Sequence, residues 1–461
     1  MSEQKVKIIS PVDGSVYAER PIARDAEIEA AVSSARAAIP EWKMVPVRER
    51  ARYALAFIDA LVAMNDEVTV ELAWQMGRPV RYGGEKGAAE ERVRAIATMA
   101  EEALKPYYPP QTPGFRRYVA REPVGVVMVI APWNYPYLTA INTIVPGLLA
   151  GNTIILKHAA QTLLVGERLA EAFKRARLPK GLFHNLVMNH EQTENLIGSG
   201  RIDHVNFTGS VAGGRAIERA TAGTFASLGL ELGGKDPAYV RADAKLDHAI
   251  ENLVDGAFYN SGQCCCGVER IYVDGRVYDD FVEGFADLTR KYVVGNPLDS
   301  ATTMGPMARS SFADTVREQI AEARRKGATA LINMKVPGDQ TGSPYLAPEV
   351  LTNVDHQMEV MREESFGPVV GIMKVRDDEE AITLMNDSPY GLTASIWTQD
   401  MDRAAEIGSR VETGTVFMNR CDYLDPHLTW TGVKDTGRGT TLSKYGFDTL
   451  TQPKSYHLRE V

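Results

Sequence analysis

The sequence predicts an α/β protein built on doubly wound, mostly parallel sheets. Three observations carry that expectation. From Val124 to Leu232, apolar runs of strand length alternate with helical stretches, the pattern of a parallel sheet covered by helices on its faces. The preceding residues 26–106 have helical periodicity, and a second α/β segment runs from about Gly234 to about Arg438.

In the first segment apolar positions recur at three and four through "AEIEAAVSSARAAI", "VRERARYALAFIDALVAMNDEVTVELAWQMG" and "EERVRAIATMAEEAL", with Gly or Pro at their ends. The alternation that follows reads "VGVVMVIA", a helix at 137–150, "TIILK", a helix at 162–177, "LFHNLV", a short helix near 191–198, "HVNFTG", a helix at 213–221 and "SLGLEL". The second α/β segment has helices at 246–260, 277–291, 310–326 and 401–409, with "RIYVDG", "GPVVGIMKV", "TASIWT" and "TVFMN" as strands. Two pieces, 115–123 and 449–461, fit neither core and alternate in polarity like edge strands. Exposed edges invite pairing with another chain, so an oligomer is expected.

With 461 residues, 44% hydrophobic and 24% charged, the chain is long enough for two or three domains with real cores. A net charge of -9 and a pI near 5.6 argue against a surface that neutralises nucleic-acid phosphates or anionic lipid. The start "MSEQKVKIIS" has no apolar export segment, which leads us to expect a cytoplasmic protein. Pro123 to Leu156 carries no charge over 34 positions, but Asn134, Pro136, Pro146, Gly147 and Gly151 punctuate it. A buried strand, turn, helix and second strand explain that better than a membrane span does.

The stretch "NSGQCCCGVER" holds Cys264, Cys265 and Cys266, and only Cys421 lies elsewhere. Four cysteines in a reducing compartment do not staple a fold. Zinc requires converging ligands, whereas three adjacent side chains diverge and no second cluster exists, so no metal is expected. Two readings stay open on the residues alone: apolar filling, the usual fate of buried Cys, or one nucleophilic thiolate placed by the turn Ser261-Gly262-Gln263.

Three more stretches bear on chemistry. In "HVNFTGSVAGGRAIERA" Gly209, Ser210, Gly213 and Gly214 stand at a strand-to-helix turn, where backbone amides can approach a phosphate. Arg215-Ala216 replaces the Lys and Ser/Thr of a P-loop, which demotes nucleotide hydrolysis, and the G-x-G-x-x-G fingerprint is absent from the chain. In "LELGGKDP" Glu231 ends a strand and is either a general base or a solvated strand end. In "APWNYP" Asn134 ends another strand, its amide suited to an oxyanion or to holding the turn.

Taken in order, "APWNYP", "LKHA", "FTGS", "LELGGKDP", "GQCCCGVER", "REESFGPVV", "NDSPYGL" and "GVKDTGRG" resemble the aldehyde dehydrogenase superfamily over essentially the whole chain. The short N-terminus and "LKHA" look like a bacterial succinate semialdehyde dehydrogenase subgroup. The resemblance implies the aldehyde dehydrogenase fold: a Rossmann-like dinucleotide-binding domain (1–106 and 124–233), an α/β catalytic domain (234–438) and a small β oligomerisation arm (107–123 and 439–461). It also implies a homodimer or homotetramer.

By the same resemblance Cys265 is the nucleophile and Glu231 the base that activates water for thioester hydrolysis. The Asn134 amide and the Cys265 backbone N–H would hold the oxyanion. For the cofactor, NAD or NADP, Lys157 would contact the adenosine ribose, and Gly209, Ser210 and Gly214 would line the pyrophosphate. Glu364 and Phe366 would place the nicotinamide half, and Trp133 would close the channel. Glu231 favours hydrolysis over transfer of the acyl group to coenzyme A.

Two departures matter. Where many members have a Glu three residues after the lysine, this chain has Ala160, so the repulsion that excludes a 2'-phosphate is gone and NADP is admissible. The loop 419–430 mixes Arg420, Asp422, Asp425 and His427 with Tyr423, Leu424 and Trp430. With Tyr135, the residues Arg420, Leu424 and Trp430 are the expected substrate contacts, Arg420 as partner of a substrate carboxylate. The expected reaction is oxidation of a small aldehyde, preferably a semialdehyde. The alternatives are an aminoaldehyde, a general aliphatic aldehyde, or a catalytically silent relative.

Overall fold

Six consecutive positions, Val126–Ala131, are buried on both faces, and in this computed structural model they form the centre of a six-stranded sheet. The structure describes residues 4–336, 338 and 340–461. Across the sheet the order is Gly437–Arg438, Ser227–Glu231, His204–Thr208, Val126–Ala131, Thr153–His158 and Phe183–Asn185. All pairings are parallel except that of the short Gly437–Arg438 strand. The uncharged segment thus resolves into Val126–Ala131, the helix Pro136–Ala150 and Thr153–His158. The helix begins with Pro, where no amide hydrogen is needed, and is buried nearly all round. Among the described residues no helix is long and apolar enough to cross a membrane.

The second sheet has seven strands, with Asp236–Val240 and Val268–Asp274 at its middle, and only its outermost pairing is antiparallel. From Pro136 onward the helices expected from periodicity are present with ends within about two residues. Before it, the stretch 26–39 extends to Asp25–Trp42, the stretch 47–77 divides into Val47–Val62 and Asn65–Met76, and the stretch 90–104 starts earlier as Lys86–Ala103. Asp378–Asn386 is a further helix, and Lys5–Ile9 pairs with Val16–Pro21 as a hairpin that the pattern did not single out.

The two orphan edges find each other: Phe115–Pro123 pairs antiparallel with Thr451–Arg459 over nine residues. This ribbon stands apart from both sheets. Strand ends of the two large sheets converge at Glu231 and the turn before Val268, and the functional residues collect there.

Candidate active site

The cysteine turn is built by local strain. After the helix Leu246–Phe258 the chain enters the left-handed region at Asn260 (φ 53°) and Ser261 (φ 59°), conformations that cost non-glycine residues on the order of 1 kcal/mol or more each. At Gly262 φ is 69° and a Cβ would lie 2.3 Å from the Gly367 carbonyl oxygen, so only glycine fits. Buried hydrogen bonds hold the turn: Asn260 Nδ2 donates to the carbonyls of Asn134 (3.3 Å) and Gln263 (3.2 Å), Ser261 Oγ to Gly305 O (2.9 Å), and Ala308 N to Gln263 Oε1 (2.8 Å).

Cys266 is buried in the core, while Cys264 and Cys265 are half-buried. Two cavities meet here. One, of about 180 Å³, is lined by all three cysteines, Tyr135, Arg92 and the 422–430 loop. The other, of about 270 Å³, is lined by Trp133, Asn134, Gly209, Ser210, Glu364 and Phe366. Cys265, Glu231, Thr208 and Leu232 line both.

Cys264 Sγ and Cys266 Sγ are 3.4 Å apart. The three thiols titrate as a unit. The Cys264 sulfur and burial push the Cys265 thiol well above its ordinary value. Ionising it therefore requires either higher pH or stabilisation that arrives with the ligands.

Glu231 ends its strand with both carboxylate oxygens engaged. Thr208 Oγ1 donates to Oε2 at 3.1 Å and Thr441 Oγ1 to Oε1 at 2.5 Å. Burial raises its pKa, opposed by those two hydroxyls and by the Arg92 charge. A carboxylate raised in this way, beside a thiol and between two cavities, suits a general base.

Asn134 is fixed from its backbone. Its carbonyl accepts from Arg78 Nη2 (2.5 Å) and Asn260, and Arg78 in turn forms a buried pair with Glu85 at 2.7 Å. The Nδ2 amide donates to Gln263 O at 3.3 Å, two residues before Cys265. This long bond leaves the amide available for a better acceptor.

On the second cavity Trp133 stacks on Phe312 at 5.5 Å and meets Phe366 edge-on at 5.6 Å. Phe366 sits at φ 48°, held because Glu269 accepts from the amides of Ser365 and Phe366, each at 2.8 Å. Glu364 Oε1 accepts from Gly234 N at 3.0 Å. Burial and the Glu269 charge push its carboxyl up to about 8. A Cβ at Gly233 would stand 2.3 Å from that carboxylate, so bare backbone makes room for it.

The helix Val211–Thr221 starts at this cavity, with Ser210 Oγ accepting from Gly213 N at 3.2 Å. A helix N-terminus behind Gly209 and Ser210 favours an anionic group. An aromatic slot, a helix start and a carboxylate along one cleft fit a dinucleotide. Gly214 is buried against Leu232, behind that wall rather than lining it. Lys157 is half-buried at the end of Thr153–His158, outside the cavity lining, and burial lowers its pKa. Next to it His158 is buried, bonded to Pro136 O at 3.2 Å, and burial lowers it to about 4. Ala160 is exposed. Among the described residues no cluster of three or more Asp, Glu, His or Cys is arranged to hold a metal.

Of the expected substrate contacts, Tyr135, Leu424 and Trp430 line the first cavity. Arg420 is exposed and does not line it; its guanidinium lies 3.4 Å over the Tyr423 ring. Sequence reasoning passed over Arg92, Thr208 and Thr441, and the Lys235–Glu269 pair that supports Phe366. Among these, Thr208 lay in "FTGS" beside Gly209 and Ser210, Lys235 in "LELGGKDP" after Glu231, and Glu269 in "GQCCCGVER" after Cys265.

Comparison with known proteins agrees with this geometry. A family model described as "Aldehyde dehydrogenase family" matches residues 1–456. An aldehyde dehydrogenase of Paenarthrobacter nicotinovorans is 36% identical over 426 residues, covering 91% of this chain and 92% of the relative. An NAD(P)+ succinate semialdehyde dehydrogenase, Sad, of Escherichia coli K12 is 32% identical, covering 95% and 94%. The crystal structure of an E. coli NADP-dependent enzyme superimposes with a TM-score of 0.94 at 29% identity, covering 99% of this chain and 95% of that one.

Proposed function

Since the chain belongs to the aldehyde dehydrogenase family, we propose that it oxidises a small aldehyde to its carboxylic acid with NAD or NADP, and that the aldehyde is a semialdehyde such as succinate semialdehyde. One observation carries the reading: Cys265 and Glu231 stand together in the wall between an aldehyde-sized cavity and a dinucleotide-like cleft. The semialdehyde assignment is supported by the likeness to the E. coli enzyme.

In this reading Cys265 Sγ adds to the aldehyde carbon, and the resulting oxyanion accepts hydrogen bonds from Asn134 Nδ2 and the Cys265 backbone amide. Bound in the Trp133–Phe366 cleft, the dinucleotide supplies the acceptor for the hydride that leaves the same carbon. Glu231 then takes a proton from the water that attacks the acyl-cysteine, releasing the acid and returning the thiol. Glu364, Gly209, Ser210 and Phe366 hold the cofactor, with Lys157 at its adenosine end. With Ala160 exposed in place of an acid, both NAD and NADP are admitted. The apolar wall of Leu138, Leu424 and Trp430 favours an aliphatic aldehyde as second reading.

We also assign the nine-residue ribbon to assembly of a homodimer or homotetramer, because Thr451–Arg459 has no second strand partner among the described residues. Formation of reduced nicotinamide with NAD and NADP separately, across succinate semialdehyde, aminoaldehydes and aliphatic aldehydes, tests the function. Turnover that is lost in Cys265→Ser supports it. Wild-type protein that binds dinucleotide but turns over no aldehyde would overturn the substrate assignment, and loss of both would favour a silent relative.

A further inference from the structure

The first cavity contains a buried cation that forms no ion pair among the described residues; Glu85, Glu231 and Glu91 act on it only at longer range. Arg92 is 5% exposed and stands in the wall that also holds Cys265. Its Nη1 donates to Leu138 O at 3.2 Å and to Asn142 Oδ1 at 2.8 Å. Buried Nε meets no acceptor, and among the described residues none meets Nη2 either. Nε is sealed from the cavity, so Nη2 is the nitrogen left to meet an incoming carboxylate in a charge-assisted hydrogen bond.

Every carboxylate near Arg92 is engaged elsewhere. Glu85 pairs with Arg78 and accepts from the amides of Tyr137 and Leu138. Glu231 is held by Thr208 and Thr441, and Glu91 accepts from the Tyr423 hydroxyl at 3.0 Å. Asp422, also in the cavity wall, is pushed up to about 8 by burial, so near neutrality it is mostly uncharged and does not compete. A buried guanidinium does not give up its proton, and leaving it unpaired is unfavourable. An anion entering the cavity would complete it.

We propose that Arg92 is the anchor for a carboxylate at the far end of the aldehyde, so that the cavity selects aldehydes bearing a second, anionic carboxyl group. The inference rests on the semialdehyde reading above and names the residue that enforces it. Arg420, lying over Tyr423 outside the cavity lining, is not in place for this role. The competing role for Arg92 is electrostatic support of Glu231, which would affect all aldehydes alike.

The test compares succinate semialdehyde with butanal, which lacks the carboxylate, for the cofactor-saturated wild type, Arg92→Gln and Arg92→Lys. The expected result is a wild-type preference for the semialdehyde and a fall of roughly 10- to 150-fold in the semialdehyde-to-butanal ratio of kcat/KM in Arg92→Gln, carried mainly by KM. Arg92→Lys keeps the charge and should fall between. Succinate should inhibit wild-type butanal oxidation competitively, an outcome independent of whether either variant folds. If the wild type prefers the semialdehyde but both substrates fall together in Arg92→Gln, the Arg92 assignment is wrong and the substrate reading stands. If the wild type shows no preference and succinate does not inhibit, the substrate reading fails and this inference fails with it.

Discussion

Lys235 Nζ lies 2.5 Å from Glu269 Oε2, with the two side chains 0% and 5% exposed. This buried pair reaches past itself. Lys235 also donates to Ser365 Oγ at 3.0 Å, and Glu269 accepts the two amides that hold Phe366 in its left-handed conformation. The aromatic wall of the second cavity is therefore set by an ion pair that does not itself line that cavity.

Replacing Glu269 by Gln leaves the buried Lys235 amine without its partner, while burial continues to lower its pKa. Removing one member of a buried pair costs about 3–5 kcal/mol. The expected outcome is a lowered unfolding midpoint together with a raised KM for the dinucleotide, read by denaturation and steady-state kinetics. An unchanged midpoint would show that Ser365 and water suffice for the lysine.

If Asn134 donates to the oxyanion as proposed, Asn134→Ala removes that donor and leaves the backbone carbonyl in place for Arg78 and Asn260. A fall of about 10²–10³ in kcat is expected. KM for the aldehyde should change far less.

The pH profile follows from two raised pKa values. Attack needs ionised Cys265, which the Cys264 sulfur and burial push up, and water activation needs ionised Glu231, which burial raises. Both active forms are the deprotonated ones, so kcat/KM, which reports the steps through hydride loss, should climb with Cys265 ionisation as pH rises from about 6 to about 9, by up to tenfold per unit, while Glu231 ionisation acts on kcat where hydrolysis limits. A profile that declines over that range contradicts the assignment of Cys265 as thiolate nucleophile.

If the dinucleotide lies as proposed, with its adenosine end at Lys157, Ala160→Glu places a carboxylate near its ribose. Repulsion of a 2'-phosphate should lower kcat/KM for NADP roughly tenfold or more relative to NAD. Parallel initial rates with the two cofactors check this.

Local signals carried most of the fold. Alternating apolar runs marked the parallel strands from Val126 to Glu231, and helix periodicity survives any tertiary context in which one face is buried. The hairpin at Lys5–Ile9 and Val16–Pro21 was silent because its residues are largely exposed and lack a clean alternation. Cys265, Glu231 and Asn134 stood out because their motifs resemble those of the aldehyde dehydrogenase superfamily, the residue types alone leaving a structural reading open for each. Arg92 was not, since a lone arginine in a helical stretch looks like solvated surface until the fold turns it into a cavity wall. Thr441 meets Glu231 across 210 residues of chain, a contact no local pattern encodes. Arg420 was expected inward from its loop, but the Tyr423 ring offers it a cation–π partner at the surface.

The most direct test of Cys265 as nucleophile and Glu231 as the hydrolytic base is rapid mixing of Glu231→Gln with aldehyde and saturating dinucleotide, followed by intact-mass and peptide analysis. The expected result is a burst of about one equivalent of reduced nicotinamide per active site, slow turnover afterwards, and an acyl adduct mapped to Cys265. Steady turnover at the wild-type rate with no adduct, or an adduct on Cys264 instead, would contradict it.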